Sequence, residues 1–332
     1  MKNVSKIASA LVLGAVWFVL TPPLAQAQSL SYTKGQNVSP AFEGWEEAAD
    51  GSKYFLFGYM NRNWEEELNV PVGADNSFTP GTPDQGQPTH FLPRRNRFVF
   101  RVPVPKSFTE KDEMIWTLTT YGKTEKAYAT LRLDYKVDDV VKASETGALG
   151  AGSSSPEIRA NKPPVVKIEG PSNVTAKVGK PVDLAVLVTD DGVPKRRDPT
   201  SLSAGSAVGR QGAPPDPAQA AAIQARIRAF VTGPPIRITV GKNVGLHLSW
   251  FEYRGPSDAD VVFTPIQVKA WEDTRAGANS PWAPIWQPPT MPADGRITAQ
   301  VTFSEPGTYV LRALADDGAL TGGQDVTVTV TK

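Results

Sequence analysis

The chain contains no cysteine and only two histidines, His90 and His247. Without cysteine it has no disulfides, thiolate metal sites, cysteine nucleophiles or lipid-modified N-terminal cysteine, so its stability comes from packing. An excess of charge is also missing. There are 35 basic and 34 acidic residues, and two of the basic ones, Lys2 and Lys6, lie in the leader. A mature chain with a net charge near −1 gives no reason to expect nucleic acid as a partner. Long apolar runs are scarce as well. One uncharged stretch, Ile7 to Leu20, follows the two lysines and precedes Ala25-Gln26-Ala27, a small-x-small cleavage pattern. Residues 1–27 therefore read as a secretory signal peptide, with Gln28 as the first mature residue. The run is shorter than the roughly 20 residues that span a bilayer, and no second one follows. The exported product, periplasmic or extracellular, is expected not to span a membrane.

What the chain has in abundance is turn and strand chemistry: 30 prolines, 28 glycines, and many valines and threonines. This composition favours β-structure with frequent turns. A mature length of about 305 residues exceeds the usual size of one hydrophobic core, so two domains are expected. The stretch "KASETGALGAGSSSPEIRANKPP" has no apolar periodicity. Residues 141–162 accordingly read as a flexible linker between domains at 28–140 and 163–332.

In the first domain, "KAYATLRLDYKV" places Ala127, Ala129, Leu131, Leu133, Tyr135 and Val137 on one side, as in a half-buried strand. "RFVFRVPVP" alternates too, but Pro103 and Pro105 push it toward a sheet edge. "KYFLFGYM" is apolar on both faces and reads as a central, covered strand, while "MIWTLTTYG" supplies Trp116 and Leu118. An antiparallel sandwich buries such one-sided strands. The second domain has "VDLAVLVT", "LHLSWFEY", "ITAQVTF", "TYVLRALA" and "DVTVTVT", separated by Gly, Pro and Asp turns. Segment 193–237 differs from these. There Asp216 is placed to cap a helix, Pro217 to start it, and Ile223, Ile227 and Phe230 to share one face. It reads as an insertion carrying a short amphipathic helix.

The second domain resembles the PKD-like, immunoglobulin-fold domains of extracellular bacterial proteins. The resemblance is carried by "PPVVKIEGPSNVTAKVGKPVDLAVLVTDDG", "LHLSWFEYRGPSDADVVFTP" and "VTFSEPGTYVLRALADDGALTGGQDVTVTV", in that order. It covers most of 163–331, and no named family is identified for 28–140. In that fold Trp250 would fill the core and Tyr309, after Pro306-Gly307, would form the tyrosine corner. The fold class is thus expected to be all-β: two β-sandwich domains on a flexible linker, the C-terminal one immunoglobulin-like with a helix-containing insertion. The resemblance implies interaction at or outside the cell envelope.

Three features are candidate sites. Asp190, Asp191, Asp316 and Asp317 would lie at one pole if their strands are the second and sixth of such a sandwich. Converging carboxylates suit calcium, whereas Asp-Gly pairs are also ordinary turn chemistry, and Lys195, Arg196 and Arg197 stand by to neutralise them. Trp271, Trp282 and Trp286, on a proline-rich loop, would bind a protein or stack on a glycan if exposed, or cover a sheet edge if buried. Arg94 and Arg95, with His90, Arg97 and Arg101, form either an anion patch or cross-strand ion pairs with acids such as Glu65, Glu66 and Glu67. Catalysis has little support: H-E-x-x-H, G-x-S-x-G and a phosphate-binding glycine loop are all missing. The expectation is an exported, non-catalytic binding or scaffolding protein whose partner is an envelope or extracellular protein. One alternative is a carbohydrate-binding module using the Trp loop. Another is an enzyme with an inter-domain site, which requires His90 beside carboxylates in a cleft.

Overall fold

Alternation dictates the first sandwich. In "MIWTLTT" the side chains of Met114, Trp116 and Leu118 are buried and those between them are half-buried, the burial period of two expected of a one-sided strand. The computed structural model describes residues 32–145, 154–196, 239–241, 244–256, 259–271 and 288–332, with isolated positions 218, 221, 222 and 225. Its first half holds β1 (Val38–Glu47), β2 (Lys53–Asn61), β3 (Leu68–Asn69), β4 (Asn76–Thr79), β5 (His90–Phe91), β6 (Arg94–Pro103), β7 (Met114–Thr120) and β8 (Lys123–Ala129). The sheet β1-β2-β6 faces the sheet β4-β7-β8, and β3 pairs with β5 in a small ribbon. As its two apolar faces require, β2 is central, and the proline-bearing β6 is an edge.

Between the sheets lies an aromatic core. Trp116 stacks on Phe78 (5.8 Å between ring centroids) and meets Phe57 and Phe100 edge-on (6.0 and 5.1 Å). Such offset and T-shaped pairs add to what area burial alone supplies. The indole N–H of Trp116 donates to Oδ1 of the fully buried Asn76 (2.9 Å), whose Nδ2 donates to the carbonyls of Val70 and Pro88 (2.9 Å each). One amide thus satisfies an indole and ties two loop carbonyls to the core.

The strand expected through Val137 stops early. β8 ends at Ala129, Leu131 is buried, and the chain then forms a 3-10 turn at Leu133–Tyr135 that leaves Leu133 70% exposed. The cause is Trp45 on β1. Its Nε1 donates to the carbonyl of Arg132 (2.9 Å), and its own carbonyl accepts from the N–H of Val137 (2.9 Å), pulling the chain across β1.

The second half holds β9 (Val165–Ile168), β10 (Asn173–Lys177), β11 (Val182–Thr189), β12 (Thr239–Gly241), β13 (His247–Arg254), β14 (Val261–Thr264), β15 (Lys269–Trp271), β16 (Arg296–Phe303), β17 (Gly307–Asp316) and β18 (Thr321–Thr331). The sheets β10-β18-β17-β13 and β14-β16-β11-β9 face each other, with β10 parallel to β18 and the remaining pairs in both sheets antiparallel. This strand order is that of an immunoglobulin-like sandwich. Trp250 is 1% exposed in its core, and the hydroxyl of Tyr309 donates to the carbonyl of Glu305 (2.7 Å), which forms the tyrosine corner. Of the expected helix in the insertion, Ala218, Ala221, Ala222 and Ala225 are helical; Asp216, Ile223, Ile227 and Phe230 lie outside the described residues.

The segment expected as a flexible linker is packed at both described ends. Helices at Asp139–Glu145 and Pro156–Ala160 bury Ala143 and Ile158 against Ala319 and Leu320. Pro164 then passes so close to Gly322 that a Cβ there would lie 1.8 Å from its carbonyl oxygen. Residues Tyr32–Lys332 form one compact unit.

Replacing Asn76 with alanine would strand the indole N–H and two carbonyls, so Asn76→Ala is expected to cost roughly 3 kcal/mol in urea unfolding. A loss below about 1 kcal/mol would show that water replaces the amide.

Candidate functional site at the sandwich junction

β13 has bulky residues on both faces, and each face serves a different core. Leu248 and Trp250 pack into the second sandwich, while Phe251 and Tyr253 join the aromatic core of the first. The chain around them is bonded across the junction. The hydroxyl of Tyr253 donates to the carbonyl of Gly86 (2.5 Å), and the N–H of Thr89 donates to the carbonyl of Tyr253 (3.1 Å). Arg254 donates to both carboxylate oxygens of Asp84 (2.7 and 3.0 Å) and to the carbonyl of Gln87 (2.7 Å). Arg312 lies 3.7 Å over the Tyr253 ring, grips Asp325 with two nitrogens, and donates to the carbonyl of Val99 (2.6 Å). Burial pushes the Tyr253 phenol up to about 12, so it stays a neutral donor.

Beside this weld is a cleft of about 550 Å³ lined from both sandwiches. On its first-sandwich wall the β3–β5 pairing sets Asn69 opposite His90, and Glu67 precedes Asn69 by two residues. His90 Nε2 is 2.6 Å from Glu67 Oε2, and its Nδ1 is 2.8 Å from Asn69 Oδ1 and 4.0 Å from Glu252 Oε2, on β13. Burial pulls the imidazole pKa down, but the hydrogen bond and charge of Glu67, with the charge of Glu252, outweigh it and hold it above the usual value. Burial raises the carboxyl of Glu252. Glu252 is 5% exposed, and its Oε1 has no hydrogen-bond partner. It fits because residue 255 is glycine, where a Cβ would lie 2.0 Å from that oxygen.

The four aspartates take a different arrangement. Each accepts from a backbone N–H two residues ahead: Asp190 from Gly192, Asp191 from Val193, Asp316 from Gly318 and Asp317 from Ala319 (2.9, 3.0, 2.8 and 2.6 Å). Two further contacts reach the chain between the sandwiches: Asp317 Oδ2 accepts from Asn161 Nδ2 and Asp191 Oδ2 from the N–H of Lys162 (3.0 Å each). The two turns therefore flank one stretch of chain. Among the described residues no group of three or more His, Asp or Glu side chains is gathered for a metal ion. Burial raises the Asp317 carboxyl to about 6.

The arginines are engaged within the fold. Arg94 lies 4.1 Å over the Trp64 ring and donates to the carbonyl of Arg62. Arg95 pairs with Glu43 (2.6 Å), a carboxylate 2% exposed that Arg97 also contacts, and Arg101 pairs with Glu46. His247 is buried, with Nδ1 3.2 Å from the carbonyl of Gly245. The strand containing Trp271 is placed, but its side chain, and the whole of Trp282 and Trp286, lie outside the described residues. Sequence reasoning missed Glu252 and the pairing of His90 with Glu67. One available signal was that Phe251 and Tyr253 fall on the face opposite Trp250, the mark of a strand covered on both sides.

A group whose pKa is raised by folding contributes stability at low pH and loses it as pH rises. For Asp317 the loss spans 3.8 to about 6. For His90 the contribution is complete below its unfolded value of 6.5 and is lost as pH rises through the higher folded one. Asp317→Asn is expected to keep its turn, with Asn161 rotating its amide to accept. Thermal melts against pH should then lose the decline between 3.8 and about 6; an unchanged decline would place its source elsewhere.

No family model and no curated protein matches the chain. Domains 4 and 5 of the S-layer protein SbsC are similar at TM-score 0.20 and 10% identity, over 66% of this chain and 65% of that one. A chimeric titin Z1Z2 matches at 0.21 and 8%, over 90% and 100% of the two chains. The Yersinia pseudotuberculosis adhesin InvE matches at 0.22 and 9%, over 88% and 58%. At such scores the immunoglobulin-like assignment rests on strand order and the tyrosine corner, not on these neighbours.

Proposed function

We propose that the protein is an exported, non-catalytic binding or scaffolding protein of the cell envelope or extracellular space, which makes protein-protein contacts through its sandwiches. The observation that carries this reading is the weld at β13. By feeding two cores, it holds both sandwiches and the cleft between them as one continuous surface. The signal-peptide pattern and the PKD-like order of the second domain support export and an envelope role. No helix among the described residues is long and apolar enough to cross a membrane.

A second reading, an enzyme with its site between the sandwiches, is favoured by one observation: His90 stands beside Glu67 and Glu252 in a cleft. Against it, both ring nitrogens are engaged. Turnover of nitrophenyl esters or glycosides that disappears in His90→Asn would establish this reading.

For the binding reading, a photo-crosslinking residue at Tyr128 or Val262, both half-exposed or more, is expected to yield a discrete protein adduct in the envelope or the medium. A chain retained in the cytoplasm, or free of adducts from either position, would contradict it.

A further inference from the structure

β14, "VVFT", is an edge strand that pairs with β16 on one side, and among the described residues nothing pairs with the other. An antiparallel strand turns alternate N–H and C=O groups outward, so such an edge is a template for another chain unless it is guarded. Four other sheet edges carry guards. β8 carries Lys123, Glu125 and Lys126, and β6 carries four arginines and a proline. In β9 the N–H of Ile168 is taken by Gln324 Oε1, and in β13 the N–H of Trp250 is taken by Gln267 Oε1. β14 has no charged residue, and Val262 on it and Ile266 just beyond are 57% and 76% exposed.

The strand also borders the cleft, which presents Glu67, Glu252 and Asp260. Three carboxylates there face two basic groups: His90, paired with Glu67, and Lys269, whose ammonium bonds the neutral Asn96 Oδ1 and the carbonyl of Ala270 (2.7 and 3.1 Å), so the lining keeps an excess of negative charge. The buried Glu252 is left incompletely satisfied. A cation brought close would offset the cost of keeping that carboxylate charged. A second copy docked edge to edge would instead bring two acidic clefts together.

We infer that the free edge of β14 and the adjoining acidic cleft form a strand-addition site for an extended, lysine- or arginine-bearing segment of a protein partner. Main-chain hydrogen bonds to β14 supply affinity, and alternate basic side chains reaching the carboxylates supply selectivity. This inference rests on the binding reading above and locates it.

The test uses the mature chain and two labelled, end-blocked heptapeptides of alternating valine with lysine or with glutamate, followed by fluorescence anisotropy. The lysine peptide is expected to bind at least tenfold more tightly than the glutamate peptide. Val262→Lys and Asp260→Asn, each melting within a few degrees of the parent, are each expected to weaken it at least tenfold. Equal binding of the two peptides, no binding, or binding indifferent to both substitutions would overturn the site, as would a dimer abolished by Val262→Lys. Adducts formed from a crosslinking residue at Tyr128 that persist in Val262→Lys would overturn this site alone and leave the binding reading standing. Absence of adducts from the parent would remove the broader reading.

Discussion

Everything in this molecule depends on β13 having two covered faces. An edge strand of an immunoglobulin-like sandwich ordinarily buries one side and shows the other to water. Here the outer side is Phe251 and Tyr253, and it packs into the core of the first sandwich. Tyr253 sits 3% exposed with its hydroxyl bonded, and Arg312 covers its ring. A buried aromatic capped by a guanidinium that also holds a carboxylate and a carbonyl is costly to expose, because each group would leave another unpaired. The junction is therefore packed as an interior is, with its polar groups paired across it.

The near-neutral charge balance is spent in the same internal way. Glu43 takes Arg95 and Arg97, Asp84 takes Arg254, and Asp325 takes Arg312. The acids at the pole of the second sandwich close their own turns and hold residues 161 and 162 between them. In three dimensions these carboxylates accept backbone N–H groups within their own turns and from the incoming chain. The cleft beside β13 holds a buried carboxylate, Glu252, whose Oε1 has no partner; at the pole the half-buried Asp190 is likewise without one at Oδ1.

Much of the fold was legible because burial imposes a period on strands. "MIWTLTT", "VDLAVLVT" and "TYVLRALA" each alternate with one face inside, and Trp250 and Tyr309 occupy the core positions their surroundings indicate. Alternation misled at Leu133 and Tyr135, where hydrogen bonds from a distant tryptophan redirect the chain; periodicity carries no information about such long-range pulls. The packed helices at either end of the glycine-rich segment were hidden for a similar reason, since Ala143 and Ile158 are few and find their partners at Ala319 and Leu320. Of the candidate site, His90 and the acidic run containing Glu67 were visible. Their meeting was not, because it depends on a two-residue ribbon and on a strand more than 150 residues away.

The most direct test of the shared-core account is hydrogen exchange by mass spectrometry across a denaturant series, following β7 in the first sandwich and β17 in the second. If β13 makes the two sandwiches one cooperative unit, both strands lose protection at the same denaturant concentration, and Tyr253→Ala separates them. Two distinct midpoints in the parent protein would contradict the account and restore two independently stable domains.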